Sequence, residues 1–232
     1  YQVKVTTRVM DFAQRHLGSL VQGTFTTLDA VPPQVSSTLP VQSAKNVPVD
    51  VQFRVLFSEA VTLESLSGPA LQLFDVDDQV GVTTTFTLQP QAREVLITPV
   101  ANLAPDHVHR LTIQGVRDPV GNVMALPFVL ELETADITPP VVASISPPAE
   151  TSVTSGQTIE IAAVVTDNQA PGSVTLRLLG RSATIAPPAT GSTYRWTLTV
   201  PPVASPTAAA IEVEARDAAG NVTLASSALE VL

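Results

Sequence analysis

Val49-Asp50-Val51-Gln52-Phe53-Arg54-Val55-Leu56-Phe57 places apolar residues at every odd position and mostly polar ones between. Successive side chains on a strand point to opposite faces, so this stretch reads as a strand with one face in a core. The same alternation recurs outward from it. It is found at Val80 to Phe86, Glu94 to Ile97, Arg110 to Ile113, Ile159 to Ile161, Val174 to Leu178, Tyr194 to Leu198 and Ile211 to Glu214. These runs are short, rich in Val, Ile and Thr, and separated by Gly, Pro, Asn or Asp. That spacing predicts antiparallel β-sandwiches, because βαβ units would need helical crossovers between the strands. Only Val61 to Leu66 looks helical, for about one turn. The expected fold is all-β.

The composition agrees with packed domains. Of 232 residues, 44% are apolar and only 14% charged, which excludes disorder through low hydrophobicity. The absence of Cys excludes disulfide frameworks and thiolate metal sites. A formal charge of −9 argues against nucleic acid and against anionic membrane surfaces as partners. No apolar run approaches the roughly 18 residues of a helical span, so direct membrane insertion is not expected. No charged-then-apolar leader pattern opens at Tyr1, so no address is read there.

Two joints divide the chain. Asp29-Ala30-Val31-Pro32-Pro33 and Asp136-Ile137-Thr138-Pro139-Pro140 share the pattern Asp-x-x-Pro-Pro and begin 107 residues apart. Paired prolines fix φ and remove amide donors, so each segment reads as a stiff, extended connector. The residues ahead of the joints match as well. With a single-residue gap, Tyr1, Val3, Val5, Val9, Asp11, Phe25 and Thr27 align with His109, Leu111, Ile113, Val116, Asp118, Leu132 and Thr134. On that correspondence, residues 1–30 are the last two strands of a sandwich whose earlier strands precede Tyr1. The other reading is a short amphipathic helix from Asp11 to Gln22 using Phe12, Leu17, Leu20 and Val21, which Gly18 disfavours. Residues 31–137 and 138–232 then form two complete units. Both close with one device, Asp118-Pro119-Val120-Gly121-Asn122 in the first and Asp217-Ala218-Ala219-Gly220-Asn221 in the second. Asp accepts amide hydrogens two residues on, and Gly-Asn tolerates positive φ, so each is a turn into a final strand.

These residues resemble bacterial Ig-like domains. Residues 32–134 resemble the S-layer-type Ig-like domain through Asn46-Val47-Pro48-Val49, Val55 to Val61, Leu103-Ala104-Pro105, the turn at Asp118 to Asn122, and Leu132-Glu133-Thr134. His109 stands where that family usually has Tyr, and Leu132 where it usually has Phe. Residues 139–232 resemble a second bacterial Ig-like subtype through the strand at 157–166 and the turn at Asp217 to Asn221. The resemblance implies tandem immunoglobulin-like sandwiches in a longer extracellular or cell-surface array. It implies no particular ligand, since members serve as spacers, adhesin stalks and enzyme appendages.

Candidate chemistry is sparse. Calcium is the one cofactor considered, as a structural ion. Asp136 in the second joint is expected to approach Asp167 and Asn168, or the turn from Asp217 to Asn221, if these share one pole of the last unit. Asp75-Val76-Asp77-Asp78 gathers carboxylates but lacks the EF-hand pattern, and reads most simply as a solvated hairpin loop. His107-Val108-His109 has a spacing used by some transition-metal sites, with His16 or a carboxylate as third ligand. His109 shares its face with Leu111 and Ile113, so packing is the simpler account. Glu131 with Glu133, and Glu212 with Glu214, lie opposite apolar residues and belong to a solvated face, which suits no acid or nucleophile. Tyr194 and Trp196 alternate with Leu198 as core residues do; as an exposed platform they would bind carbohydrate. No nucleophile elbow, phosphate loop or HExxH motif is present.

The charge is uneven: +1 over residues 1–30, −7 over 31–137 and −3 over 138–232. The middle unit therefore attracts divalent cations most, without identifying a partner. The expected role is a non-catalytic spacer or stalk segment, partnered by neighbouring Ig-like domains of the same longer chain. An adhesive or carbohydrate-binding module, with a cell-surface or carbohydrate ligand, is the first alternative. A filament subunit that exchanges the strands of residues 1–30 is the second.

Overall fold

The computed structural model describes residues 1–169, 172–188 and 190–232. An N-terminal ribbon pairs β1 (Gln2–Val5) antiparallel with β2 (Val21–Thr24). The segment between them is not helical. It carries a turn closed by a Met10–His16 bridge, which repeats the Arg117–Val123 bridge of the next unit.

The middle sandwich contains β3 (Val35–Leu39), β4 (Ala44–Val47), β5 (Phe53–Phe57), β6 (Leu71–Asp75), β7 (Val80–Val82), β8 (Thr84–Leu88), β9 (Glu94–Pro99), β10 (Val108–Ile113) and β11 (Phe128–Thr134). One sheet has the order β4-β11-β10-β6-β7 and the other β3-β5-β9-β8. The alternation that begins at Val49 becomes a strand only from Phe53. Val49 and Asp50 form the corner of a turn, in which the Val51 amide donates to the Pro48 carbonyl. Within β5, Phe53, Val55 and Phe57 are buried; Ile97 and Val95 of β9 flank them in the same sheet, and Leu111 and Leu130 belong to the opposite sheet of the same core. The helical expectation at 61–66 is met by a single 3₁₀ turn, Glu64–Leu66, with Leu66 plugged into that core.

The C-terminal sandwich contains β12 (Val141–Ser146), β13 (Thr151–Val153), β14 (Thr158–Thr166), β15 (Ser173–Leu178), β16 (Arg181–Ile185), β17 (Thr193–Thr199), β18 (Thr207–Arg216) and β19 (Val222–Val231). Its sheets have the orders β12-β14-β17 and β13-β19-β18-β15-β16. A separate core fills it, built on Ile161, Leu176, Tyr194, Ile211 and Val213. Both sandwiches share one departure from antiparallel pairing. An early strand runs parallel to the last one, β4 beside β11 and β13 beside β19. The chain is thus made of tandem Ig-like antiparallel sandwiches.

Candidate functional site

Each joint is fastened by the closing turn of the sandwich that follows it. In the C-terminal unit, Asp217 Oδ1 accepts the amides of Gly220 (2.6 Å) and Asn221 (2.8 Å), and Gly220 takes a positive φ of 97° to allow it. The turn presents the Asn221 amide group, whose Nδ2 donates to Asp217 Oδ2 (2.7 Å) and to the linker carbonyls of Asp136 (3.2 Å) and Thr138 (3.5 Å). The middle unit does the same. Asn122 Nδ2 donates to Asp118 Oδ2 (2.7 Å) and to the carbonyls of Asp29 (3.2 Å) and Val31 (3.3 Å). In each linker the aspartate accepts the amide two residues on, Val31 N from Asp29 and Thr138 N from Asp136, which sets the chain direction into the prolines. In the N-terminal ribbon Gln14, at φ 62°, stands where glycine stands in the other turns, and Arg15 Nε contacts Asp11 Oδ2 at 2.9 Å where the asparagine would.

Asn221→Ala removes the clasp at the second joint and leaves two linker carbonyls without their donor. Limited proteolysis is expected to cut the segment 135–140 several-fold faster in this variant than in the parent chain, with Asn122→Ala doing the same at 29–33.

A third carboxylate completes each joint. Asp136, Asp167 and Asp217 each offer an oxygen within 4.8 Å of the others. Asp29, Glu59 and Asp118 form the corresponding set one unit earlier. Asp167 follows β14, and further on the Gly172 amide donates to the Arg216 carbonyl, beside the Asp217 turn, at 2.8 Å. A Cβ on Gly172 would meet the Asp217 backbone at 3.0 Å, so any side chain there would have to push that backbone back by a few tenths of an ångström.

Both carboxylate oxygens of Asp167 are shut off from solvent, and among the described residues neither has a well-formed hydrogen bond, the neighbouring Asn168 amide being the nearest donor to act on them. Burial pushes this carboxyl above its usual range. The Asn168 amide opposes the shift, while Asp136, Asp217 and Asp106 add to it. Asp106 belongs to the preceding sandwich. Its Oδ1 accepts Gln169 Nε2 at 2.5 Å, and Asn168 Nδ2 lies between Asp106 Oδ2 (3.4 Å) and Asp136 Oδ1 (3.3 Å). Glu59 at the first joint is likewise raised by burial and by Asp29 and Asp118, with the Arg93 guanidinium acting against them.

Of the residues singled out in the sequence, Asp136, Asp167 and Asp217 come together, and Asn168 borders them. Asn221 is turned differently: its Nδ2 is a clasp on carbonyls and on Asp217. Tyr194 is not a sugar platform, because it is 1% exposed and filled against the C-terminal core. Trp196 is partly buried against the same core. Sequence reasoning did not find Asp106 or Glu59. Glu59 had a signal, since carrying the Asp136–Asp217 set back to Asp29 and Asp118 asks for an acid after the corresponding strand.

Comparison with known proteins agrees with this architecture. Residues 29–134 match the bacterial Ig-like domain family. Among solved structures, Rst D1-D2 superposes with a TM-score of 0.50 at 14% identity, over 87% of this chain and 100% of that one. The N-terminal part of the bacterial S-layer protein SbsC aligns at 12% identity and a TM-score of 0.37, over 88% of this chain and 45% of that one. This chain therefore spans under half of that structure. The fibronectin(III)-like modules of Clostridium thermocellum CbhA align at 13% identity and a TM-score of 0.35, covering 86% and 93%. No curated protein matches the sequence. Among the described residues no helix is long and apolar enough to cross a membrane.

Proposed function

We propose that this chain is a non-catalytic spacer segment of a bacterial cell-surface or secreted protein, with calcium stiffening the joints between its Ig-like sandwiches. In this reading residues 1–30 end one sandwich, 31–137 form a second and 138–232 a third of different subtype. Its partners are the neighbouring sandwiches of one longer chain. The observation that carries it is the joint at Asp136. There a proline-stiffened linker is clasped by Asn221 and flanked by a carboxylate, Asp167, whose oxygens are shut off from solvent and, among the described residues, have no well-formed hydrogen bond to offset their charge. Taking a carboxylate out of water is costly unless a cation or proton answers it.

The residues present fit a hard cation. Asp136, Asp167 and Asp217 supply oxygens, and Asp106 brings a further carboxylate from the preceding sandwich. Calcium takes six to eight oxygen ligands in flexible geometry, which such a set of loop carboxylates, carbonyls and water can supply. An ion held there would draw the linker and the pole of the last sandwich onto one centre.

Calcium titration into the full chain tests the reading. Extracellular calcium modules bind with Kd on the order of 10⁻⁴–10⁻³ M. At about 5 mM calcium, linkage then stabilises the C-terminal sandwich by about 1–2 kcal/mol, read as an upward shift of its thermal midpoint. Small-angle scattering is expected to show a narrower spread of interdomain distances in calcium than in EGTA. An unchanged midpoint at millimolar calcium, with unchanged scattering, removes the cation from this account.

A further inference from the structure

Two features that look unrelated in the sequence, the acidic run at Asp75 and the pair His107 and His109, meet at one end of the middle sandwich. The register of β6 on β10 sets Asp75 directly opposite His109. Asp75 is 3% exposed, so the acidic run is not simply a solvated loop. Its Oδ1 caps the hairpin by accepting the amides of Asp77 (3.0 Å) and Asp78 (3.1 Å). Its Oδ2 faces inward, 2.8 Å from His107 Nδ1 and 3.5 Å from His109 Nε2. Asp78 adds an oxygen within 4.8 Å of ligand atoms of both Asp75 and His107.

His109 is the decisive group. Its side chain is fully buried, and among the described residues its Nε2 has no hydrogen-bond partner. Its Nδ1 stands 3.3 Å from the His107 carbonyl. A neutral imidazole has one N–H and one lone pair, whereas this ring has an oxygen opposite each nitrogen. Either neutral tautomer therefore turns a lone pair toward an oxygen. The tautomer that donates from Nδ1 to the carbonyl leaves Nε2 as an unprotonated donor aimed at the Asp75 carboxylate. A second ring hydrogen bond of this kind is how metal-binding histidines are usually held. Ligand atoms of one tetrahedral ion stand roughly 3.3 Å apart, given bonds of about 2.0–2.1 Å, and the Nε2–Oδ2 separation is close to that.

We propose that Asp75, Asp78 and His107, backed by His109 from the buried side, form a binding site for a first-row divalent cation such as Zn²⁺, separate from the carboxylate sets at the joints. Mixed imidazole and carboxylate donors suit Zn²⁺, whereas calcium takes oxygen ligands. His107 is 26% exposed at its side chain, so the ion enters from solvent beside the β6–β7 hairpin. Bound there, it ties that hairpin to the start of β10.

The test is calorimetric titration of ZnCl₂ into the full chain in chelator-free buffer containing millimolar calcium, alongside long-range ¹H–¹⁵N imidazole spectra. The expected result is one saturable zinc site per chain that calcium does not displace, with the ring nitrogens of both His107 and His109 shifted. His107→Gln and Asp78→Asn, both altered where solvent reaches, are each expected to weaken it at least tenfold in a chain that still unfolds cooperatively without zinc. His16→Gln changes the third histidine, which bonds the Thr7 carbonyl in the N-terminal ribbon, and is expected to change nothing. Binding that His107→Gln leaves intact, that is lost with His16, or that leaves the His109 ring unshifted overturns the proposal. Because calcium is present throughout, failure here leaves the reading of the Asp136 joint untouched, and failure there leaves this one.

Discussion

Replacing Tyr194 with alanine is expected to destabilise the C-terminal sandwich by about 3–5 kcal/mol, the usual cost of emptying a large aromatic site in a core. Tyr194 is the bulkiest of the fully buried side chains, and it lies on β17 opposite Ala163 of β14. Its cross-strand neighbour is small, so the ring itself fills most of that position in the core. Burial also holds the phenol above its ordinary pKa, as a site shut off from water requires. Trp196 is the one tryptophan of the chain, so its fluorescence follows unfolding of this unit alone. In urea the fluorescence transition of Tyr194→Ala moves to much lower denaturant. The transition of the middle sandwich, whose core is separate, stays where it is. A variant with unchanged stability and lost affinity for a polysaccharide would instead restore the aromatic platform.

Asp167→Asn is expected to exchange the order of stability with the parent chain when calcium is added. Asp167 has its folded pKa raised, so its ionised form is disfavoured by folding. The sign follows from linkage. The penalty is absent below the carboxylate's unfolded pKa, about 3.9, and grows as pH rises through the higher folded value. At neutral pH in EGTA the asparagine variant therefore melts above the parent, because the amide carries no charge to desolvate and repels neither Asp136 nor Asp217. In about 5 mM calcium the parent gains about 1–2 kcal/mol and the variant gains little, so their order reverses. Thermal midpoints in the two buffers read this directly. An asparagine variant that melts below the parent in EGTA would mean that the carboxylate already has favourable partners there.

The two cases differ in what the sequence could reveal. Strand faces are written locally: Phe53, Val55 and Phe57, or Ile211 and Val213, declare their burial by alternation alone. The limit of that signal is visible at Val49 and Val51, where the alternation continues but Pro48 bends the chain into a turn. The Asp136 joint was legible because it repeats. Two Asp-x-x-Pro-Pro segments and two closing turns, each at a fixed place in its unit, bring their acids into one neighbourhood. Asp106 was not legible, because it reaches the joint only through the pole at which the middle sandwich meets the last one. Nor was the meeting of Asp75 with His109, which depends on the register of two strands more than thirty residues apart. Long-range register is set by which faces pack across a whole sheet, and no local pattern states it.

The parallel pairing of β4 with β11, and of β13 with β19, has a mechanical consequence. A pull applied to the two ends of a sandwich draws its early strand one way and its last strand the other. In a parallel pair those directions slide the strands along each other, so the hydrogen bonds that join them are loaded together and not peeled one at a time. For β13 and β19 that pairing joins Thr151, Ser152 and Val153 to Leu229, Glu230 and Val231, at the very end of the unit where tension leaves it. A short seam placed there resists tension as a lap joint does, and the middle sandwich carries a shorter parallel pairing at the corresponding place.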